Sequence, residues 1–331
     1  MQAAVLTEIK KPLAVQAEPN PLAALGEAVV QLKAAALNHR DLWIQLGQYA
    51  GIKTPIILGS DGAGTVLAVG SPKDTAWVGR EVIINPALDW GVNPRAQGSQ
   101  FRILGLPDAG TFAEQCVVPV ANLALKPSHL SWEQAAALPL TGLTAWRALF
   151  TRAQLQLGER VLITGIGGGA ALSALQLAVA TGAQVWVTSS SPEKIARAIT
   201  LGALGGVNYR EINWAEALQQ PAGRFDVIVD SAGGEGLAQL IDLTTPGGRI
   251  VFFGATRGNP TSLDLRKCFF RQINMLGTTM GSPEDFANLM TFVAAHKITP
   301  VVDKVFPLAE ADAALRRMAA GEQCGKIVLA I

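Results

Sequence analysis

Cysteine is nearly absent from this chain, and the little there is does not pair. Cys116, Cys268 and Cys324 are the only three. No two form a CxxC, and an odd, scattered set supplies neither a disulfide framework nor a thiolate metal site. That usage fits a reducing, cytoplasmic setting. Charge is sparse as well: 16% of residues are charged and the formal net charge is +1. Such a balance gives no electrostatic reason to bind nucleic acid or an anionic membrane, and neither partner is expected. Histidine occurs three times, as His39, His129 and His296, with no two at metal-ligand spacing. After Met1-Gln2-Ala3-Ala4-Val5 the chain runs into Glu8, Lys10 and Lys11 without a sustained apolar stretch, which argues against a signal peptide. One run, Val161 to Pro192, has no charged residue and is long enough to span a bilayer. Its three consecutive glycines, with Ser173, Gln176, Thr181 and Gln184, break it into strand, turn, helix and strand. A buried βαβ unit explains it better than a membrane helix.

What is abundant is apolar: hydrophobic residues make up 49% of 331, and glycine occurs 34 times. At roughly 150 residues per domain, this length suggests about two domains. The first part reads as β-rich. Ala28 to Lys33 alternates in polarity, while Gly62 to Gly70 and Glu81 to Ile84 are short apolar runs bounded by Gly and Pro. Asp41 to Gly47 fits a short helix. Asn85 to Gly110, rich in Gly, Pro, Asn and Gln, reads as a long surface loop with a functional or interface role.

The texture changes after Lys126-Pro127. Ser131 stands three residues before Gln134, a capping-box signature ahead of an Ala-rich helix. Strand and helix signals then alternate. Strands are expected at 160–164, 184–188, 206–209, 225–230, 249–253 and 273–278, with a helix at 170–180 and another opened by Ser191-Pro192-Glu193. Six strands separated by helices specify a doubly wound parallel sheet. The tail reads as helix 283–295, strand 301–306, helix 309–320 and strand 326–331.

Between the first strand and first helix of that sheet lies Gly165-Ile166-Gly167-Gly168-Gly169-Ala170. The strand–turn–helix context makes this glycine run a dinucleotide site. The first Gly permits the tight turn, the second lets backbone approach a pyrophosphate, and Ala170 is small enough for helix and strand to pack. The helix N-terminus offers free N–H groups to the phosphates. No Gly-Lys-Ser/Thr follows, which excludes a Walker loop. A site for NAD usually carries an acid about 20 residues on, at the end of the second strand. Here no acid stands between Gly165 and Glu193. The strand ends instead in Thr188-Ser189-Ser190-Ser191, with Lys194 close behind. Hydroxyls and a lysine suit a 2′-phosphate, and the reading favours NADPH. The plainer role of this cluster, capping the next helix, falls to Ser191 and is compatible with it.

With these features in view, the chain resembles the medium-chain dehydrogenase/reductase superfamily, in particular its zinc-independent quinone oxidoreductase branch. The motifs that carry the resemblance are Ala34-Ala-Ala-Leu-Asn38-His-Arg-Asp41, Leu58-Gly-Ser-Asp-Gly-Ala-Gly64, Gly110-Thr-Phe-Ala-Glu114, Leu138-Pro-Leu-Thr-Gly-Leu-Thr-Ala-Trp146, the glycine turn and Gly325-Lys-Ile-Val-Leu329. The resemblance implies a GroES-like β-rich catalytic domain, residues 1–124 and 281–331, and a Rossmann NADPH-binding domain, residues 125–280. Zinc-dependent members have a cysteine where this chain has Asn38, and Gly-His-Glu where it has Gly59-Ser60-Asp61. A carboxamide and a hydroxyl are poor zinc ligands, and residues 85–115 lack the cysteines of a structural zinc lobe. No metal is expected.

Without a Lewis acid, an activated acceptor, a quinone or an α,β-unsaturated carbonyl, is the substrate class implied. Asn38 is the expected donor to the developing enolate oxygen, and Tyr49 the residue that orients substrate or gives a proton. The alternatives are that Asn38 holds a loop and that Tyr49 only shapes the pocket wall. Asp41 reads as a scaffold carboxylate bonded to backbone. The resemblance also places Thr144 beside the nicotinamide, and Lys194 and Tyr209 at the adenosine phosphate, where the strand end already puts the hydroxyls of Ser189 and Ser190. It sets Phe253-Gly254-Ala255 and Thr278-Thr279-Met280 at the nicotinamide end, and Lys326 at the pyrophosphate. Relatives pair through the sixth strand, here 273–278, so a homodimer is expected, with the 85–110 loop adding to the contact. A 2-enoyl thioester reductase is the competing enzyme. A structural or regulatory NADPH-binding protein with little catalysis is the competing class.

Overall fold

The computed structural model describes all 331 residues, and the chain divides into two compact units, Met1–Thr141 with Gly281–Ile331, and Gly142–Met280. The N-terminal part of the first unit carries β1 (Gln2–Leu6), β2 (Ala14–Ala17), β3 (Glu27–Ala36), α1 (His39–Gln45), β4 (Ile56–Ile57) and β5 (Asp61–Val69). It continues with β6 (Glu81–Ile84), β7 (Ala87–Leu88), β8 (Arg102–Ile103), β9 (Gln115–Pro119), β10 (Leu123–Leu125) and α2 (Trp132–Ala136). Within α3 (Pro139–Trp146) the chain passes to the second unit. There follow β11 (Arg160–Ile163), α4 (Gly169–Ala180), β12 (Gln184–Ser189), α5 (Pro192–Thr200), β13 (Gly205–Asn208) and α6 (Trp214–Ala222). The unit closes with β14 (Phe225–Asp230), α7 (Leu237–Leu243), β15 (Thr244–Phe252), α8 (Leu265–Phe270) and β16 (Asn274–Gly277). The tail returns through α9 (Pro283–His296), β17 (Val302–Pro307), α10 (Ala311–Ala319) and β18 (Lys326–Ala330).

In the first unit the main sheet runs β10-β6-β5-β3-β18-β17, and β9 also pairs with β3. Side chains alternate across a strand. Ala28, Val30 and Leu32 of β3 therefore face one way, into a core with Val66, Val82, Ile84, Cys116 and Val118. Beyond its second bulge the strand turns Ala35 and then Leu37 to the other core, with Leu58, Phe112, Leu315 and Ile327. Each such burial contributes roughly 1.5–3 kcal/mol for a large aliphatic or aromatic side chain.

The second unit is a six-stranded parallel sheet in the order β13-β12-β11-β14-β15-β16. Val161, Leu162 and Ile163 are all fully buried, because helices cover both faces of such a sheet and its strands need no polar side. The strand order reverses between β11 and β14, which makes their carboxyl ends the crevice where a doubly wound sheet takes its ligand.

Three expectations are corrected. Residues 85–110 are not only a surface loop: β7 and β8 pair as a short ribbon, and Leu88, Trp90 and Leu104 are buried. Residues 125–141 group with the first unit rather than with the parallel sheet. The cause is packing, since α2 lies on β3 and β5 and the ring of His129 bonds the carbonyl of Ile298. The strand expected at 249–253 begins earlier, because β15 extends back to Thr244. No helix is long and apolar enough to cross a membrane. The capping box of α2 is formed as read: Ser131 Oγ accepts from the Gln134 N–H at 3.2 Å, and Gln134 Oε1 from the Ser131 N–H at 2.9 Å.

Candidate active site

Two clusters of functional side chains form, one in each unit. The first arises where three strands from distant parts of the chain meet. In the sheet, Ala36 at the end of β3 pairs with Asp61 on one side and Val328 on the other. That register sets Asn38, just past β3, beside Asp61, which opens β5, and Lys326, which opens β18. Gly59 lets the chain enter β5: its φ of +95° favours glycine, and a Cβ there would lie 2.4 Å from the Phe112 ring.

All three polar side chains are buried. The Lys326 ammonium donates to Leu37 O at 2.6 Å, Asn38 Oδ1 at 2.6 Å and Asp61 Oδ2 at 2.9 Å. Asn38 Nδ2 donates to the same Asp61 Oδ2 at 2.9 Å. The other carboxylate oxygen, Asp61 Oδ1, accepts the Leu140 N–H at 2.8 Å, in the first turn of α3. Asp41 accepts backbone N–H groups from Asn38 at 2.8 Å and Gly59 at 3.3 Å, a scaffold role. Arg40 donates to Ser60 Oγ at 2.7 Å and Leu104 O at 2.9 Å, and its guanidinium lies over the Tyr49 ring at 5.2 Å.

Burial pushes the Asp41 carboxyl up to about 6 from an ordinary 3.8 and is the dominant cause; Arg40, the Asn38 N–H and Lys326 pull the other way, and Asp61 adds to the rise. A folded-state value above the unfolded one means stability present below pH ~3.8 and lost as pH rises through ~6. The loss expected from this group is about 3 kcal/mol. Infrared difference spectra should show a protonated-carboxyl band that titrates near pH 6 and vanishes in Asp41→Asn. A band already gone at pH 5 would contradict the assignment.

The second cluster lies along the carboxyl edge of the parallel sheet. Gly165 and Gly167 take φ of +62° and +129°, so the turn between β11 and α4 depends on them. Thr188 ties the turn to β12, accepting N–H groups from Ile166 at 2.8 Å through its carbonyl and from Gly165 at 3.3 Å through its hydroxyl. A Cβ added at Gly165 or Gly168 would meet nothing within 4 Å, so open space lies over the turn. Gly169, Ala170 and Ala171 open α4, where N–H groups have no carbonyl one turn back. That is the arrangement a diphosphate needs.

At the end of β12, Ser189 is buried and Ser190 half-buried. Ser191 caps α5, accepting the Lys194 N–H at 3.2 Å, and donates to Glu193 at 2.5 Å. The Lys194 side chain runs over Gly167, where a Cβ would lie 2.6 Å from its Cδ. Tyr209 is brought alongside by its N–H, which donates to Ser189 O at 3.1 Å. Phe253-Gly254-Ala255 follow β15 and Thr278-Thr279-Met280 follow β16, at the other half of the same edge. The Thr278 hydroxyl oxygen is shut from solvent with no hydrogen-bond partner. Thr144 is buried on α3.

Residues 24–128 match the alcohol dehydrogenase GroES-like domain family and residues 169–295 the zinc-binding dehydrogenase family. A zinc-type alcohol dehydrogenase-like protein, YogA, of Leptosphaeria maculans is 34% identical across 98% of this chain and 96% of its own. The chain belongs to the medium-chain dehydrogenase/reductase superfamily. An acryloyl-coenzyme A reductase of Metallosphaera sedula is 30% identical over 99% of both chains. The crystal structure of an NAD-dependent alcohol dehydrogenase, 37% identical, superposes with a TM-score of 0.93 over the full length of both chains. As a medium-chain dehydrogenase/reductase the protein is an oxidoreductase that works with a nicotinamide cofactor.

Two points depart from what the family suggests. A zinc ion does not fit the first cluster. Asn38 Oδ1 and Asp61 Oδ2 already hold a cation, the Lys326 ammonium, and Ser60 Oγ accepts from the Arg40 guanidinium. Lys326 is also not a pyrophosphate ligand: its three donors are spent on three buried acceptors inside its own unit. Sequence reading missed two further residues. Asp61 was visible only as part of a motif, with no sign that it bonds Asn38. Arg257, in the loop after β15, lies over the Tyr209 ring at 5.3 Å, and no local pattern marks it.

Proposed function

We propose that this protein is a zinc-free, NADPH-dependent reductase of quinones or α,β-unsaturated carbonyls. The observation that carries the reading is the Asn38 carboxamide, buried and clamped, with one N–H bonded to Asp61 and the other uncommitted. When bound, the dihydronicotinamide supplies a hydride to the conjugated carbon of the acceptor, whose double-bond electron pair moves to oxygen. The uncommitted N–H of Asn38 donates to that oxygen as its charge develops. Tyr49, held under Arg40, orients the acceptor, and a proton taken up from water or the phenol completes the reduction. The open space over Gly165 and Gly168 and the unpaired Thr278 hydroxyl support a role for the carboxyl edge of the sheet along the whole dinucleotide, with Thr278 toward the carboxamide.

NADPH is favoured because Ser189, Ser190, Lys194 and Tyr209 gather at the end of β12, joined by Arg257. Lys194→Ala should raise the NADPH KM roughly tenfold, as expected for one charge-assisted contact, while the NADH KM stays within about twofold. Equal changes with both cofactors would contradict the assignment. NADH is the second reading, favoured by the Glu193 carboxylate on the same turn and by the NAD-dependent structural relative. For the acceptor, likeness to an acryloyl-coenzyme A reductase keeps a 2-enoyl thioester as the second reading. An acceptor panel at fixed NADPH, quinones beside enones and enoyl thioesters, tests the whole proposal. Cofactor binding without reduction of any acceptor would leave only a binding protein.

The partner proposed is a second copy of this chain. β16 ends the six-stranded sheet with one edge unpaired, and α8 beside it exposes Leu265, Phe269 and Phe270, the last by 83%. Such an edge is self-complementary about a two-fold axis. Sedimentation should give a dimer that Phe270→Glu converts to monomer; a monomeric wild-type protein would contradict it.

A further inference from the structure

We propose that Lys326 is a positioning residue for hydride transfer: its buried ammonium locks the Asn38 carboxamide in the one orientation that presents an N–H to the acceptor oxygen. The inference rests on Asn38 being the donor.

Donor and acceptor chemistry fixes the orientation. An ammonium has three donors and no acceptor, and an ionised carboxylate only accepts. The amide of Asn38 stands between the two, so its oxygen must face Lys326 and its NH₂ must face Asp61. The distances are 2.6 Å and 2.9 Å. A reversed amide would set NH₂ against ammonium and oxygen against carboxylate, two repulsive contacts in a dry site. Lys326 itself has no freedom: Leu37 O, Asn38 Oδ1 and Asp61 Oδ2 take all three donors. Asp61 is fixed in turn by the Leu140 N–H. Of the two amide hydrogens, one is thus spent and the other free. A cation on the amide oxygen also draws electron density from nitrogen and strengthens the remaining N–H as a donor, the cooperative polarisation expected in a hydrogen-bonded chain. Lys326 therefore acts on the acceptor through Asn38, without touching it. The same ammonium takes the acceptors a metal would need.

The test is a double-mutant cycle on the full-length enzyme, with NADPH and 1,4-naphthoquinone or 2-cyclohexenone as acceptor. Lys326→Met should lower kcat roughly tenfold with Asn38 present and by less than about twofold in the Asn38→Ala background, because the two act as one unit. The NADPH KM should hold in every variant. Equal losses in both backgrounds would show that Lys326 serves stability or another step, and would overturn the inference while leaving the Asn38 reading intact. Wild-type kcat in Asn38→Ala would overturn the donor reading itself. Should Lys326→Met fail to fold, the K326M/D61N pair removes both buried charges together and frees the amide to reverse. The same cycle against Asn38→Ala then decides, with the same two outcomes.

Discussion

Asn38→Ala should lower kcat by about 10²–10³-fold, the loss that follows removal of one donor from an oxyanion site. The size follows from where the donor sits. Asn38 is 6% exposed, and its bonds to Lys326 and Asp61 are already made before substrate arrives, so no reorganisation accompanies charge development. Loss should appear in kcat and in kcat/KM alike, because the interaction strengthens as charge forms on oxygen. Asn38→Asp separates donor from scaffold. An aspartate keeps an oxygen for the Lys326 ammonium but offers no N–H, and it adds negative charge where the oxyanion forms. Its kcat should be no higher than that of Asn38→Ala. Steady-state rates with a quinone and an enone check both variants. A kcat within threefold of wild type for Asn38→Ala would leave Asn38 as a loop residue only.

Much of the second unit was legible in the sequence for a local reason. Strands buried on both faces are continuous apolar runs, Val161-Leu162-Ile163 being the clearest, and the turn between β11 and α4 is spelled by glycines that stand close together in the chain. The caps at Ser131 and Ser191 are equally local, since acceptor and N–H lie three residues apart. The Asn38 cluster was not legible in this way. Its members come from positions 38, 61 and 326, and only the pairing of β3 with β5 and β18 makes them neighbours. That is why Lys326, expected to reach the pyrophosphate by resemblance, is found bonded to Asn38 and Asp61 instead. Arg257 was hidden for the same reason, because its partner Tyr209 follows β13 while it follows β15. The ribbon within 85–110 has strands of only two residues, too short for any alternation to show.

Asp61→Ala should destabilise the first unit by about 3–5 kcal/mol, the penalty for leaving a buried ion without its partner. Asp61 is fully buried and Lys326 is 4% exposed, so water does not reach the ammonium to replace the carboxylate. Three contacts go at once: the ion pair at 2.9 Å, the Asn38 N–H at 2.9 Å and the Leu140 N–H at 2.8 Å. The two neutral donors left unpaired add to the cost at roughly 1–3 kcal/mol each, unless the site relaxes. Asp41 does not take over, because its oxygens are held by the Asn38 and Gly59 N–H groups. Asp61→Asn should fall between wild type and Asp61→Ala: its amide oxygen can still accept from Lys326 and Asn38, while its NH₂ then faces the Leu140 N–H and the ammonium loses its counter-charge. Urea unfolding followed by tryptophan fluorescence reads this out. Trp43, Trp77, Trp90 and Trp132 report the first unit, and Trp146, Trp186 and Trp214 the second. Loss confined to the first set, in the order Ala then Asn, is the expected result. A change below about 1 kcal/mol in Asp61→Ala would mean that the ammonium finds another anion, and that the buried pair is not what holds these three strands in register.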